Sequence, residues 1–154
     1  MRILLFTALF IISFFAEAQN LKSGGVLKPE QAIMDIRHYD INLDVDIAQR
    51  TIQGNTIVSL NLSKQTDTIL LDLVHLLKVS KVLVNKKAVR FEQMDDKIFI
   101  TSATGFKVGN QLVDIHYGGA PPVAVKPPWL GGFTWSKDSL GNDWVSINIQ
   151  KEGG

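Results

Sequence analysis

The sequence predicts an all-β domain, a twisted antiparallel saddle or sandwich of roughly eight or more strands. Three observations carry this expectation. Apolar and polar residues alternate strictly through HYDINLDVDI (38–47). Several further β-rich runs are separated by turn residues such as Asn85-Lys86-Lys87, Asp95-Asp96 and Gly105. And no window sustains a 3.6-residue period for three turns; Leu70–Leu77 comes nearest, and Asp72 and His75 interrupt it. The 154 residues include no cysteine, so disulfides and thiolate metal sites are excluded and the core alone must hold the fold.

The chain opens MRILLFTALFIISFFAEAQN. Arg2 precedes an apolar run from Ile3 to Phe15, and Ala16-Glu17-Ala18 supplies a small-x-small cleavage pattern. The run is shorter than the roughly 20 residues a helix needs to cross a bilayer. Residues 1–18 are therefore expected to be a signal peptide, which places the mature chain in the periplasm or outside the cell with no stable membrane span after cleavage. Residues 19–34, with Gly24, Gly25 and Pro29, read as a leader, and 35–154 as one β-domain large enough for a sizeable core.

Within that domain, Tyr39, Ile41, Leu43, Val45 and Ile47 form the expected buried face of a first long strand. Ala48-Gln49-Arg50 links it to a second, whose inner face is Ile52, Thr56, Val58, Leu60 and Leu62, with Gly54 marking a bulge or a close approach. Shorter strands are expected at Thr68–Leu73, Val79–Val84, Ala88–Glu92, Lys97–Thr101 and Gln111–Tyr117. Residues 118–143 hold four of the five prolines and read as a long aromatic, glycine- and proline-rich loop. Alternation resumes in DWVSINIQ (143–150): Val145, Ile147 and Ile149 on one face, Trp144, Ser146, Asn148 and Gln150 on the other.

Net charge is +1, with Lys and Arg scattered, which argues against nucleic acid as a partner. The histidines His38, His75 and His116 fall on separate predicted strands without metal-ligand spacing, and no H-E-x-x-H occurs. Asp40, Asp44 and Asp46 extend along one strand face rather than enclosing a cation. No G-x-S-x-G turn presents a serine nucleophile. No catalytic residue, metal ligand or cofactor site is expected in this chain. The concentrated feature is aromatic: Trp129, Phe133 and Trp135 lie on an irregular segment beside the carboxamides of Asn148 and Gln150, a composition suited to recognising sugars, peptide side chains or a protein surface. Plugging the open end of a sandwich is the other use of such side chains.

Three stretches carry a resemblance. DIRHYDINLDVDIAQRTIQGNTIVSLNL, ILLDLVHLLKVSKVLVNKKAVRF and IHYGGAPP…PPWLGGFTWSKDSLGNDWVSINIQ resemble, in order and spacing, the N-terminal β-domain of the aminopeptidase N-like zinc metallopeptidases, in its secreted bacterial version. The resemblance implies a saddle-shaped domain packed against a thermolysin-like zinc-peptidase domain, in cis if the chain continues; H-E-x-x-H and G-x-M-E-N are absent from this sequence. It further implies that Gln150 helps bind the α-amino group of a peptide substrate and that Asn148 lines the first side-chain pocket, although the family more often has Gln at that earlier position. Trp129, Phe133 and Trp135 would line the cleft, and zinc would belong to the full-length enzyme. The alternative is a stand-alone secreted β-sandwich that binds carbohydrate or protein through its aromatic loop.

Overall fold

The computed structural model describes residues 27–127 and 131–147. Among them the chain is all-β apart from one helical turn, α1 (Pro29–Ala32). Ten strands follow: β1 (Met34–Asp46), β2 (Thr51–Leu62), β3 (Thr66–Asp72), β4 (Lys78–Val84), β5 (Lys87–Ala88), β6 (Arg90–Met94), β7 (Lys97–Phe106), β8 (Gly109–Gly119), β9 (Phe133–Lys137) and β10 (Asp143–Ile147). They form a five-stranded sheet in the order β1-β2-β8-β4-β5, a three-stranded sheet β3-β7-β6 and a two-stranded ribbon β9-β10, with antiparallel pairing throughout.

The first two strands form the expected hairpin. Its turn is closed by the Asp46 carboxylate, which accepts from the Gln49 N–H at 2.8 Å. Arg50 takes the left-handed conformation (φ 55). Ile52, Val58, Leu60 and Leu62 on β2 are buried, and the Thr56 hydroxyl shares a 2.8 Å hydrogen bond with that of Tyr117 on β8. Two tight turns use the residues their geometry demands. Asn85-Lys86 and Asp95-Asp96 both carry positive φ at the two central positions, the backbone that matches the twist of a two-residue hairpin. Asn85 also ties the sheet end: its amide donates to Gln111 Oε1 at 2.8 Å, and its carbonyl oxygen accepts from the Leu112 N–H at 3.0 Å. Gln111, buried at 7% exposure, completes its bonding by donating to the Lys107 carbonyl.

One continuous core joins the two larger sheets. Ile69, Leu71, Ile98, Ile100 and Phe106 from the three-stranded sheet meet Val58, Leu60, Leu62, Val82, Val84, Val113 and Ile115 from the five-stranded one. Among the described residues the chain passes between these sheets four times, and the shortest passage is at Val89. The segment expected as one strand, Ala88–Glu92, divides there: β5 pairs with β4 and β6 with β7, so the backbone crosses from one layer to the other while Val89 packs against the core.

Three expectations need correction. The leader is partly folded: α1 lies within it, with Pro29 at a first-turn position where a missing N–H costs nothing. β1 also starts five residues before the alternation at Tyr39, with a register shift between Ile36 and His38. His75 lies in the connection after β3 rather than on a strand. The third concerns burial. Tyr39, Ile41, Leu43 and Val45, the expected buried face, are exposed at 53, 58, 38 and 43%. They do share the core-facing side of β2, opposite Val58, Thr56, Gly54 and Ile52, but on this edge strand nothing among the described residues covers them. Gly54 marks a close approach: a Cβ there would stand 1.9 Å from the Asn42 carbonyl oxygen.

Candidate functional site

Residues 118–143, expected as loop, contain a strand. Phe-Thr-Trp-Ser-Lys (133–137) alternates with period two and pairs with β10 in the register Phe133↔Ile147, Trp135↔Val145, Lys137↔Asp143. Five residues flanked by Gly132 and the polar Asp138–Asn142 turn are too short for periodicity to stand out from their surroundings.

The turn of this ribbon is organised by one carboxylate. Asp138 Oδ1 accepts from the backbone N–H groups of Leu140 and Asn142, both at 2.8 Å, and Oδ2 accepts from Asn142 Nδ2 at 2.9 Å. Asp138 N–H donates to the Asn142 carbonyl, and Gly141, at φ 87, donates back to that of Asp138. These donors, led by the Asn142 side chain, hold the Asp138 carboxyl below the usual aspartate value. Beside the turn, Lys137 Nζ lies 2.5 Å from Asp143 Oδ1, an exposed pair that orients more than it stabilises.

At its other end the ribbon is pinned to the proline segment. Phe133 N–H donates to the Pro122 carbonyl at 2.8 Å and the Phe133 carbonyl accepts from Ala124 N–H at 2.9 Å, a parallel bridge between Val123 and Phe133. Gly132 makes that approach possible: its φ is 135, and a Cβ would meet Ala124 N and the Pro122 carbonyl oxygen at 2.7 Å.

The ribbon has two unlike faces. Phe133 and Trp135 stack, with ring centroids 5.3 Å apart and planes 22° from parallel, and Val145 and Ile147 stand opposite them. The other face carries Thr134, Ser136, Ser146 and Trp144, the last 56% exposed. The Trp135 Nε1–H and the Thr134 hydroxyl are shielded from solvent without a hydrogen-bond partner among the described residues. The structure brings Phe133 and Trp135 together on one face and places Trp144 on the reverse side. Trp129, Asn148 and Gln150 lie outside the described residues.

Other polar groups form pairs rather than centres. Asp96 accepts from both the backbone N–H and Nδ1 of His75, each at 2.6 Å, and these bonds lower its pKa. On the outer face of the large sheet, Asp114 accepts from Asn55 Nδ2 at 2.8 Å and stands 3.3 Å from His116 Nε2. A shallow groove of about 510 Å³ runs past Asp67, Arg90 and Thr101 but holds no histidine. Among the described residues no three His, Asp or Glu side chains converge on a point where a metal ion could bind; the resemblance assigns zinc to a peptidase domain and not to these residues.

No family model and no curated protein sequence matches the chain. Solved structures do. An M1 zinc metallopeptidase from Deinococcus radiodurans, bound to a Tyr-Ser-Ala substrate, superposes with a TM-score of 0.57 at 22% identity, covering 73% of this chain and 28% of that one. A two-domain M1 zinc metallopeptidase bound to L-arginine gives 0.55 at 22%, covering 71% and 27%. Native leukotriene A4 hydrolase from Saccharomyces cerevisiae gives 0.56 at 18%, covering 74% and 19%.

The fold is shared with the M1 zinc metallopeptidases. The chain spans 19–28% of the length of these three structures.

Proposed function

We propose that this chain is the substrate-recognition and scaffold domain of a secreted zinc aminopeptidase and is non-catalytic by itself. The observation that carries the reading is the fold shared with M1 zinc metallopeptidases together with the small share of their length that it covers. In this reading zinc and the attacking water belong to a peptidase domain in cis, and this chain supplies one wall of the cleft.

The aromatic ribbon supports that placement. Among the described residues it pairs with neither larger sheet, and an apolar face bearing Phe133, Trp135, Val145 and Ile147 suits a surface to be covered by another body. Gln150, in the continuation of the same stretch of sequence, would accept a hydrogen bond from a peptide's α-ammonium through its carbonyl oxygen, with Asn148 beside the first side chain. Stand-alone recognition of a glycan or protein by the same aromatics is the competing use.

The test begins with the mass of the native product in the envelope fraction. The proposal expects a species several times heavier than 17.1 kDa that releases N-terminal amino acids and loses this activity to a zinc chelator. Gln150→Ala in that species should raise KM for peptides with a free amino terminus and leave N-acetylated peptides as poor as before. A stable product no larger than the chain itself, with soluble-glycan binding weakened by Trp135→Ala, would establish the competing use instead.

A further inference from the structure

The edge of the large sheet at β1 has the chemistry of a docking strand. Among the described residues β1 pairs with β2 on one side only. From Tyr39 to Asp46 it contains no Lys, no Pro and no register shift, since its single irregularity lies between Ile36 and His38; its only charges are acidic, a guard against like-charged strands that a basic one would not meet. Its faces differ sharply. Tyr39, Ile41, Leu43 and Val45 form an exposed apolar row continuous with the core face of β2, whereas Asp40, Asp44 and Asp46 form an exposed acidic row on the reverse.

From this juxtaposition we infer that β1 receives an extended segment of a partner protein in which apolar residues alternate with Lys or Arg. The added strand pairs with the open backbone edge; its apolar side chains extend the Tyr39–Val45 row, and its basic side chains meet the three aspartates. Charge selects this occupant over a second copy of the chain. Edge-to-edge pairing of two β1 strands over Tyr39–Asp46 sets six carboxylates along one seam, and like charges opposed across a ladder destabilise it. Arg37, the exposed cation at the strand's bulge, is already paired with Asp35. The inference stands on the edge alone and does not depend on the peptidase reading.

The experiment titrates the purified chain with an end-blocked nine-residue peptide of alternating Val and Lys, followed by fluorescence anisotropy and hydrogen exchange. A Val/Glu peptide of equal apolar content serves as the comparison. The expected result is saturable binding of the Val/Lys peptide alone, with new protection of β1 amides and none at β6. Asp40→Asn with Asp44→Asn should weaken binding about tenfold, and raising salt should weaken it in the unaltered chain. Ile41→Lys with Leu43→Lys should abolish binding while leaving the melting temperature nearly unchanged, because both side chains are exposed. Equal binding of the two peptides, no binding, or self-association through β1 would overturn the inference. So would protection of both β1 edges before peptide is added, which would mean that residues 19–26 of the chain already occupy the site.

Discussion

Replacing Gly54 by alanine should detach β1 from the sheet. The glycine is required for space, because the Asn42 carbonyl oxygen lies 1.9 Å from where a Cβ would stand and Leu43 Cα lies at 3.0 Å. Relief requires the β1 backbone to retreat by about 1 Å, and backbone, unlike a flexible side-chain end, gives way only by breaking the ladder. Two or three β1–β2 hydrogen bonds around the Asn42↔Asn55 and Leu43↔Gly54 pairs would go, at about 1 kcal/mol each. The expected loss is about 2–4 kcal/mol. Gly118→Ala is the control: its nearest contact is the Ile52 carbonyl oxygen at 3.2 Å, which calls for an adjustment costing under about 1 kcal/mol. Urea unfolding measures both variants, and hydrogen exchange locates the damage, which should concentrate in β1. A Gly54→Ala midpoint equal to that of Gly118→Ala would refute the close-approach argument.

Further outcomes follow from the core and the ribbon. Ile100→Ala, at a fully buried position between the two sheets, should cost about 2–5 kcal/mol in denaturant unfolding. Asp138 has its pKa lowered by its turn donors, so its contribution is fully present above the unfolded aspartate value and is lost as pH falls through the lower folded one. Near-ultraviolet dichroism of the tryptophans should therefore hold down to about pH 4 and change below it; Asp138→Ala should show the low-pH spectrum at neutral pH. Asp96, lowered by its bonds from His75, obeys the same sign, and Asp96→Ala should remove part of the acid dependence of global unfolding. Trp135→Ala should disorder the Phe133 ring, seen by NMR, while leaving the Ile100 core signals in place.

Period-two reasoning located both long strands and the order of the shorter ones because alternation is a local property of the chain. It assigned Tyr39, Ile41, Leu43 and Val45 to one face correctly but could not show whether that face is covered, since coverage depends on which strand ends at the sheet's edge. The division of Ala88–Glu92 at Val89 was hidden for a similar reason: a residue that crosses between layers is as apolar as one within a strand. β9 escaped because Gly132 and the Asp138–Asn142 turn leave only five residues to alternate. At the candidate site the sequence singled out Phe133 and Trp135, but their association on one face was not legible, because i, i+2 neighbours share a face only in a strand and β9 was read as loop. Nor was the Asp138 hub, because its three donors are assembled by the turn conformation rather than by any motif.

The position of β8 in the large sheet governs how the molecule can form. It lies between β2 and β4, yet it is the last of the five to leave the ribosome. Its pairs with β2 join residues as distant as Ile52 and Gly119. Until residue 119 is available, the hairpin β1–β2 and the strand β4 have no common neighbour, and the apolar faces that make the core remain unassembled. Such nonlocal closure places folding in the slow range of small β-proteins, roughly milliseconds to seconds. A domain with this topology therefore stays unfolded until residue 119 has been made, the state in which a polypeptide can still be threaded through a narrow pore.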